Sequence, residues 1–371
     1  MMTGTVAVIG GGVIGLSVAW RAAQAGWKVT VHDPHVGSGA SWVAGGMLAP
    51  LSEGWPGEDA VLAVGAASLD RWPEFGAELE RLTGEVLFTS ESSMTVALDA
   101  ADAADLRTVA EWLDGRGYRL DLLTRARIRA EEPALAPTIR LGLLAEAEFA
   151  VDNRALVRAL RAAGEAAGVR FVAEAVTDPG GLAADRVVIA AGTASARLWP
   201  GLPVRPVKGE VLRLRHRPGV SPAPSRTVRA SVHGRPVYLV PRGDGLVVGA
   251  TQHESGEDTA VTVAGVRDLI LDAQALMPGL GEYELHEATA GLRPMSPDNL
   301  PILGRVSERV VVAAGQGRNG ILLTPLSADA VVAELAGSPL PEVQACRPDR
   351  FGVAGPETGT TTVPDTRVRM G

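Results

Sequence analysis

A chain of 371 residues, 46% of them hydrophobic, is long enough for two packed units and can bury a sizeable core. Its formal charge of −8, from 43 acidic and 35 basic residues with no concentrated basic block, argues against nucleic acid as a partner. The single cysteine, Cys346, excludes an intrachain disulfide, a cysteine-rich zinc site and an iron–sulfur centre.

From the N-terminus, Val6 to Ile9 reads as a short buried strand. Glycines 10, 11, 12 and 15 follow, then an alanine-rich helix to Ala25, and a second strand from Val29 to His32 closed by Asp33 and Pro34. The apolar run Val6–Trp20 lacks a basic leader and is broken by glycines, so it is expected to be folded structure. No transmembrane segment is expected, and the expected location is cytoplasmic. Gly37 to Pro50 reads as a loop with a short helix, and Ala60 to Leu82 has helical periodicity. Val86–Phe88 and Met94–Leu98 read as a strand pair, and Asp105 to Arg116 as a helix.

Asp152 to Ala167 is a strongly amphipathic helix, followed by strands at Val169–Val172 and Asp185–Ala190. Between Lys208 and Gly249 the pattern shifts to short alternating strands. Tyr238–Pro241 and Leu246–Gly249 form an expected hairpin joined by Arg242 to Gly245. Val263 to Met277 is helical, Val310–Ala314 is a strand, Gly315–Gly320 a glycine-rich turn, and Leu322–Leu335 ends in a helix. The expected fold is α/β plus α+β. A Rossmann-type dinucleotide domain (1–83, 146–205 and 288–342) is interrupted by an antiparallel-sheet substrate domain (84–145 and 206–287), and 343–371 is expected to be a poorly ordered tail.

The segment VAVIGGGVIG carries G-x-G-x-x-G at Gly10, Gly12 and Gly15, with Val13 and Ile14 opening the helix. The first glycine allows a tight turn, the second leaves room for a pyrophosphate, and the third lets helix and strand approach. Free N–H groups and the dipole at the helix start favour phosphate charge. Asp33, 23 residues after Gly10, has the spacing for a ribose 2′-OH and would repel a 2′-phosphate. His32 and His35 flank it, but alternation along the strand does not aim them at one metal, and no metal is expected.

Four segments, VAVIGGGVIGLSVAWRAAQAGWKVTVHD, GSGASWVAGGMLAP, HEATAGLRPMSPDNLPILG and GQGRNGILLTP, resemble the glycine oxidase and D-amino-acid oxidase family over roughly residues 4 to 340. The resemblance implies FAD, bound non-covalently, as the cofactor. Ser41, Ala44, Gly45, Gly46 and Met47 match the family segment that runs along the pyrophosphate towards the flavin. Ala191 and Gly192 match the end of a strand beside it, and Val172 or Val176 matches the adenine contact. Gly317, Arg318, Asn319, Gly320 and Ile321 match the turn that clasps the pyrimidine side.

Arg293 matches the arginine that binds the substrate α-carboxylate, a role suited to a planar guanidinium. Tyr238 matches a tyrosine on the sheet covering the flavin, Met47 walls the pocket, and Arg318 is a further candidate at its rim. The implied chemistry is oxidative deamination of glycine by Cα-hydride transfer to flavin, with molecular oxygen as acceptor. Glyoxylate, ammonia and hydrogen peroxide are the products, and the reaction is linked to thiazole synthase in thiamine biosynthesis. The implied assembly is a homo-oligomer, a tetramer. Sarcosine or small D-amino acids as substrates, a dehydrogenase using another acceptor, and a histidyl-linked flavin stay open.

Overall fold

The computed structural model describes residues 4–353. Among them, the first sheet runs Ile302–Arg305, Val310–Ala314, Arg186–Ile189, Thr5–Ile9, Lys28–His32 and Arg170–Val172 in spatial order. All pairings are parallel except at the Ile302–Arg305 edge. The central strands read as unbroken apolar runs because helices cover both faces: Val8, Val188 and Val311 face one core, Ile9, Val187 and Val312 the other. The helix Val13–Gln24 packs between helices Thr324–Leu335 and Asn153–Ala166. Asp152 caps the latter, its Oδ1 accepting from Arg154 and Ala155 N–H at 2.8 and 3.1 Å.

A second sheet runs Glu284–Met295, Arg205–Arg215, Gly245–Gly249, Arg235–Arg242, Thr227–Val232, Ser93–Ala97, Leu141–Ala145 and Asp121–Thr124. One face rests on helix Val263–Leu276 through Leu212, Leu239, Val248 and Leu269. The other, with Val211, Val240 and Val247, meets Val43 and Met47 of the first unit. A small third sheet joins Met47–Leu48, Phe149–Val151 and Phe88–Ser90 at this junction.

The structure departs from the sequence reading in four places. The helical stretch from Ala60 to Leu82 is two helices, Asp59–Leu69 and Trp72–Thr83, because Pro73 opens a new first turn. The expected pair at 86–98 does not form. Phe88–Ser90 pairs with Phe149–Val151, and Ser93–Ala97 enters the large sheet beside Thr227–Val232. The expected boundary at 288 falls inside the strand Glu284–Met295. This is an edge strand tolerant of Pro294 and of partial exposure, so its alternation is weak in sequence. The tail expected to be disordered begins in order: Pro341–Cys346 and Pro348–Phe351 are 3-10 turns. There Val343 and Cys346 are buried against the first core, and burial pushes the thiol up to about 12. Residues 354–371 lie outside the described residues.

Val13–Gln24 seats on the sheet only because position 15 lacks a side chain: a Cβ there would overlap the Gly10 carbonyl oxygen. Gly15→Val is expected to cost about 1–3 kcal/mol from overpacking, read as a lower midpoint in chemical denaturation.

Candidate functional site

The turn after Thr5–Ile9 is a cradle. Gly10 has φ +112°, donates its N–H to the His32 carbonyl at 3.0 Å, and lies against the Ala190 carbonyl too closely for any Cβ. Asp33, at the end of the next strand, accepts from Gly11 N–H at 2.6 Å and His35 N–H at 2.7 Å, and so shapes the turn. The Ser41 hydroxyl accepts from Val13 N–H at 3.1 Å, bringing the Ser41–Met47 segment to the helix N-terminus. Gly10, Gly12, Val13, Ile14, Gly15, Asp33, Ser41, Ala191 and Gly192 thus converge at the C-terminal ends of the central parallel strands of the first sheet. Beside them the His32 Nδ1 is buried without a partner among the described residues. Val176 is partly buried with Leu182 and Ala191 against the core on one face of the sheet, and the carbonyl that accepts the Asp33 N–H, at 3.1 Å, is that of Val172.

The second sheet places the other candidates on the face turned towards this cradle. Tyr238 is opposite Gly249 in the ladder, and Gly249 is opposite Val211. The Tyr238 ring lies over Gly249, where a Cβ would strike it. It also lies under Gly45, whose Cβ would sit 2.8 Å from the hydroxyl. Arg293 lies over Gly209 in the same way. Its Nη1 donates to the Thr251 carbonyl at 3.1 Å and to that of Lys208 at 3.4 Å, and among the described residues it has no salt-bridge partner. Hydroxyl and guanidinium therefore meet near Gly249–Thr251, on a floor of bare backbone. Desolvation pushes the Tyr238 hydroxyl above the usual phenol range, with Arg293 pulling it down, so the hydroxyl stays protonated near neutral pH. Met47, Val43, Val211, Val240, Val247 and Ala250 form the apolar surround.

The segment Ala44–Met47 is held from behind. Gly46 has φ +86° and its carbonyl accepts the Val151 N–H at 2.8 Å. Arg242 donates from Nη2 to the Gly45 carbonyl and from Nη1 to Thr89 Oγ1 at 3.0 Å. Burial lowers the Arg242 pKa to about 10, with Asp152 acting the other way.

At the same end of the sheet, after the parallel strand Val310–Ala314, Gly317–Asn319 is a 3-10 turn running through Gly320 and the buried Ile321 into helix Thr324–Leu335. Gln316 bridges to Met295, is 3% exposed, and leaves Nε2 buried without a partner among the described residues. Arg318 is committed elsewhere, with Nε 3.2 Å from Glu53 and Nη2 3.4 Å from Glu58. Of the two candidate arginines, Arg293 alone has no salt bridge among the described residues.

A family model described as FAD dependent oxidoreductase, DAO, matches residues 5–335. The chain belongs to this family. It is 34% identical to the bifunctional protein ThiO/ThiG of Synechocystis sp., over 94% of this chain and 54% of that protein. It is 31% identical to the glycine oxidase of Geobacillus kaustophilus, over 87% of this chain and 90% of the relative. The crystal structure of glycine oxidase from Geobacillus kaustophilus superposes with a TM-score of 0.85 at 29% identity, covering 94% of this chain and 98% of that one. The chain spans about half the length of the bifunctional relatives it matches.

The residues present fit FAD. The Gly10–Gly15 turn admits a pyrophosphate against a helix N-terminus, and His32 and Gln316 each leave a buried ring or amide nitrogen without a partner among the described residues. Candidates for holding it are the cradle, the Ala44–Met47 segment and the Gly317–Ile321 turn. The sequence reading did not single out Gly209, Gly249, Glu53, Arg229, Arg242 or Gln316. Isolated glycines inside strands signal close approach, so the two glycines carried a usable sign. The charged residues carried none, since their partners come from distant segments.

Tyr238→Phe removes a donor expected to face substrate carboxylate. The expected result is a KM for amino acid raised about 10-fold or more with FAD content unchanged, checked by steady-state kinetics and the flavin absorbance of the purified protein.

Proposed function

We propose that this chain oxidises glycine: glycine, oxygen and water yield glyoxylate, ammonia and hydrogen peroxide. The observation that carries it is the Arg293 guanidinium, without a salt bridge among the described residues, beside the Tyr238 hydroxyl on a glycine-floored pocket. Arg293 takes the carboxylate by two parallel N–H bonds, which fixes the orientation of Cα. The Tyr238 hydroxyl donates to a carboxylate oxygen while its ring, with Met47 and Val247, excludes water. FAD, when bound, supplies the two-electron acceptor for the Cα–H bond. The substrate amine enters the reaction neutral, and no side chain is needed to take a proton from Cα.

The match to glycine oxidases and to ThiO/ThiG proteins supports this substrate, oxygen as acceptor, and a supply role to a thiazole-forming step. Non-covalent FAD is supported by Cys346, whose thiol is sealed in the core. A homo-oligomer and a cytoplasmic location rest on the family resemblance. No helix of the described residues is long and apolar enough to cross a membrane.

The test is oxygen uptake by the FAD-loaded protein with glycine, sarcosine, D-alanine and L-alanine, with peroxide measured alongside. Uptake with glycine and stoichiometric peroxide is expected. Flavin bleaching without uptake would move the reading to a dehydrogenase, and faster turnover of sarcosine or D-alanine would move the substrate.

A further inference from the structure

Glu53 sits in the loop following Met47–Leu48, with its side chain 11% exposed, between two guanidinium groups. One carboxylate oxygen is 3.2 Å from Arg229 Nη2, and the other is 3.2 Å from Arg318 Nε. Arg229 is the ladder partner of Tyr238 on the adjacent strand. Arg318 lies in the turn whose Gly317 packs on the sulfur of Met295, two residues beyond Arg293. Glu53 therefore spans from the Tyr238 side of the pocket to the Arg293 side. With Glu58 on Arg318, the cluster holds two cations and two anions, whereas Arg293 has no acidic partner among the described residues.

Holding the loop does not require this bridge. The buried Glu148 already accepts from the N–H groups of Leu51 and Ser52 at 2.7 and 2.8 Å, from the Ser52 hydroxyl at 2.7 Å, and from Ser93. A carboxylate added next to an anchored loop, saturating two arginines at a carboxylate-binding pocket, is a discriminating element: it repels a second anionic group and withholds the cations that would receive one.

We propose that Glu53 restricts the pocket to substrates with a single carboxylate, and that Arg229 and Arg318 are a latent second anion subsite which Glu53 occupies. This rests on the reading that Arg293 receives the substrate carboxylate.

The experiment uses the FAD-loaded full chain as wild type, Glu53→Gln and Glu53→Ala. Acetate and malonate are titrated against the flavin visible spectrum, and kcat/KM is measured for glycine and iminodiacetate. Wild type is expected to bind acetate and to discriminate against malonate. In Glu53→Ala the malonate affinity rises by about tenfold or more while acetate changes by less than about threefold, and the iminodiacetate-to-glycine ratio of kcat/KM rises in parallel. Glu53→Gln, which removes the charge and keeps the volume, moves in the same direction by less. Malonate affinity unchanged in both variants overturns the proposal. So does parallel loss of acetate and malonate, which makes Glu53 a strut. Failure of wild type to bind acetate or oxidise glycine shows instead that the underlying substrate reading is wrong, and the proposal falls with it.

Discussion

The proposed chemistry of this molecule depends on the Arg293 guanidinium, which has no acidic partner among the described residues. Arg293 is half-buried on a strand of the large sheet, resting on two backbone carbonyls, while Arg154, Arg229 and Arg318 have found acids. A partly desolvated guanidinium with only neutral partners is poorly compensated, and in the proposed function a substrate carboxylate would complete it. The surroundings are compatible with that proposal. Gly209 lets the guanidinium lie flat on the sheet, Gly249 and Gly45 let the Tyr238 ring fold in beside it, and the apolar surround keeps water from replacing the ligand.

The two units depend on each other at this point. The first sheet offers a phosphate cradle but no group that would recognise an amino acid. The second offers Arg293 and Tyr238 but no redox chemistry. The Ser41–Met47 segment joins them: it touches the helix N-terminus through Ser41, packs on Tyr238 through Gly45, and is backed by Arg242. Because Arg242 is itself buried and weakened by desolvation, the segment is braced from within the protein and not from solvent.

The cradle was legible in sequence because its chemistry is local. Gly10, Gly12, Gly15 and Asp33 belong to one strand–helix–strand unit whose spacing follows from backbone geometry. The hairpin at Tyr238–Gly249 was legible for the same reason, a period of two around a short turn. The strand carrying Arg293 was not read as a strand, since an edge strand exposes part of both faces and blurs the alternation. Nor was the state of Arg318 readable. Whether it is open or occupied depends on Glu53, more than 250 residues away, and only the fold brings them together. The resemblance to a family supplied the roles of Arg293 and Arg318 alike, and the geometry separates them.

The most direct test of the central claim is binding of a carboxylate without turnover. Glycolate is titrated into FAD-loaded wild type, Arg293→Leu and Arg318→Leu, with the flavin spectrum as the signal. Glycolate affinity falling by about 100-fold or more in Arg293→Leu and by far less in Arg318→Leu is the predicted result, a difference of roughly 3 kcal/mol. Equal affinity in wild type and Arg293→Leu, or a greater loss in Arg318→Leu, would contradict the assignment of the carboxylate to Arg293.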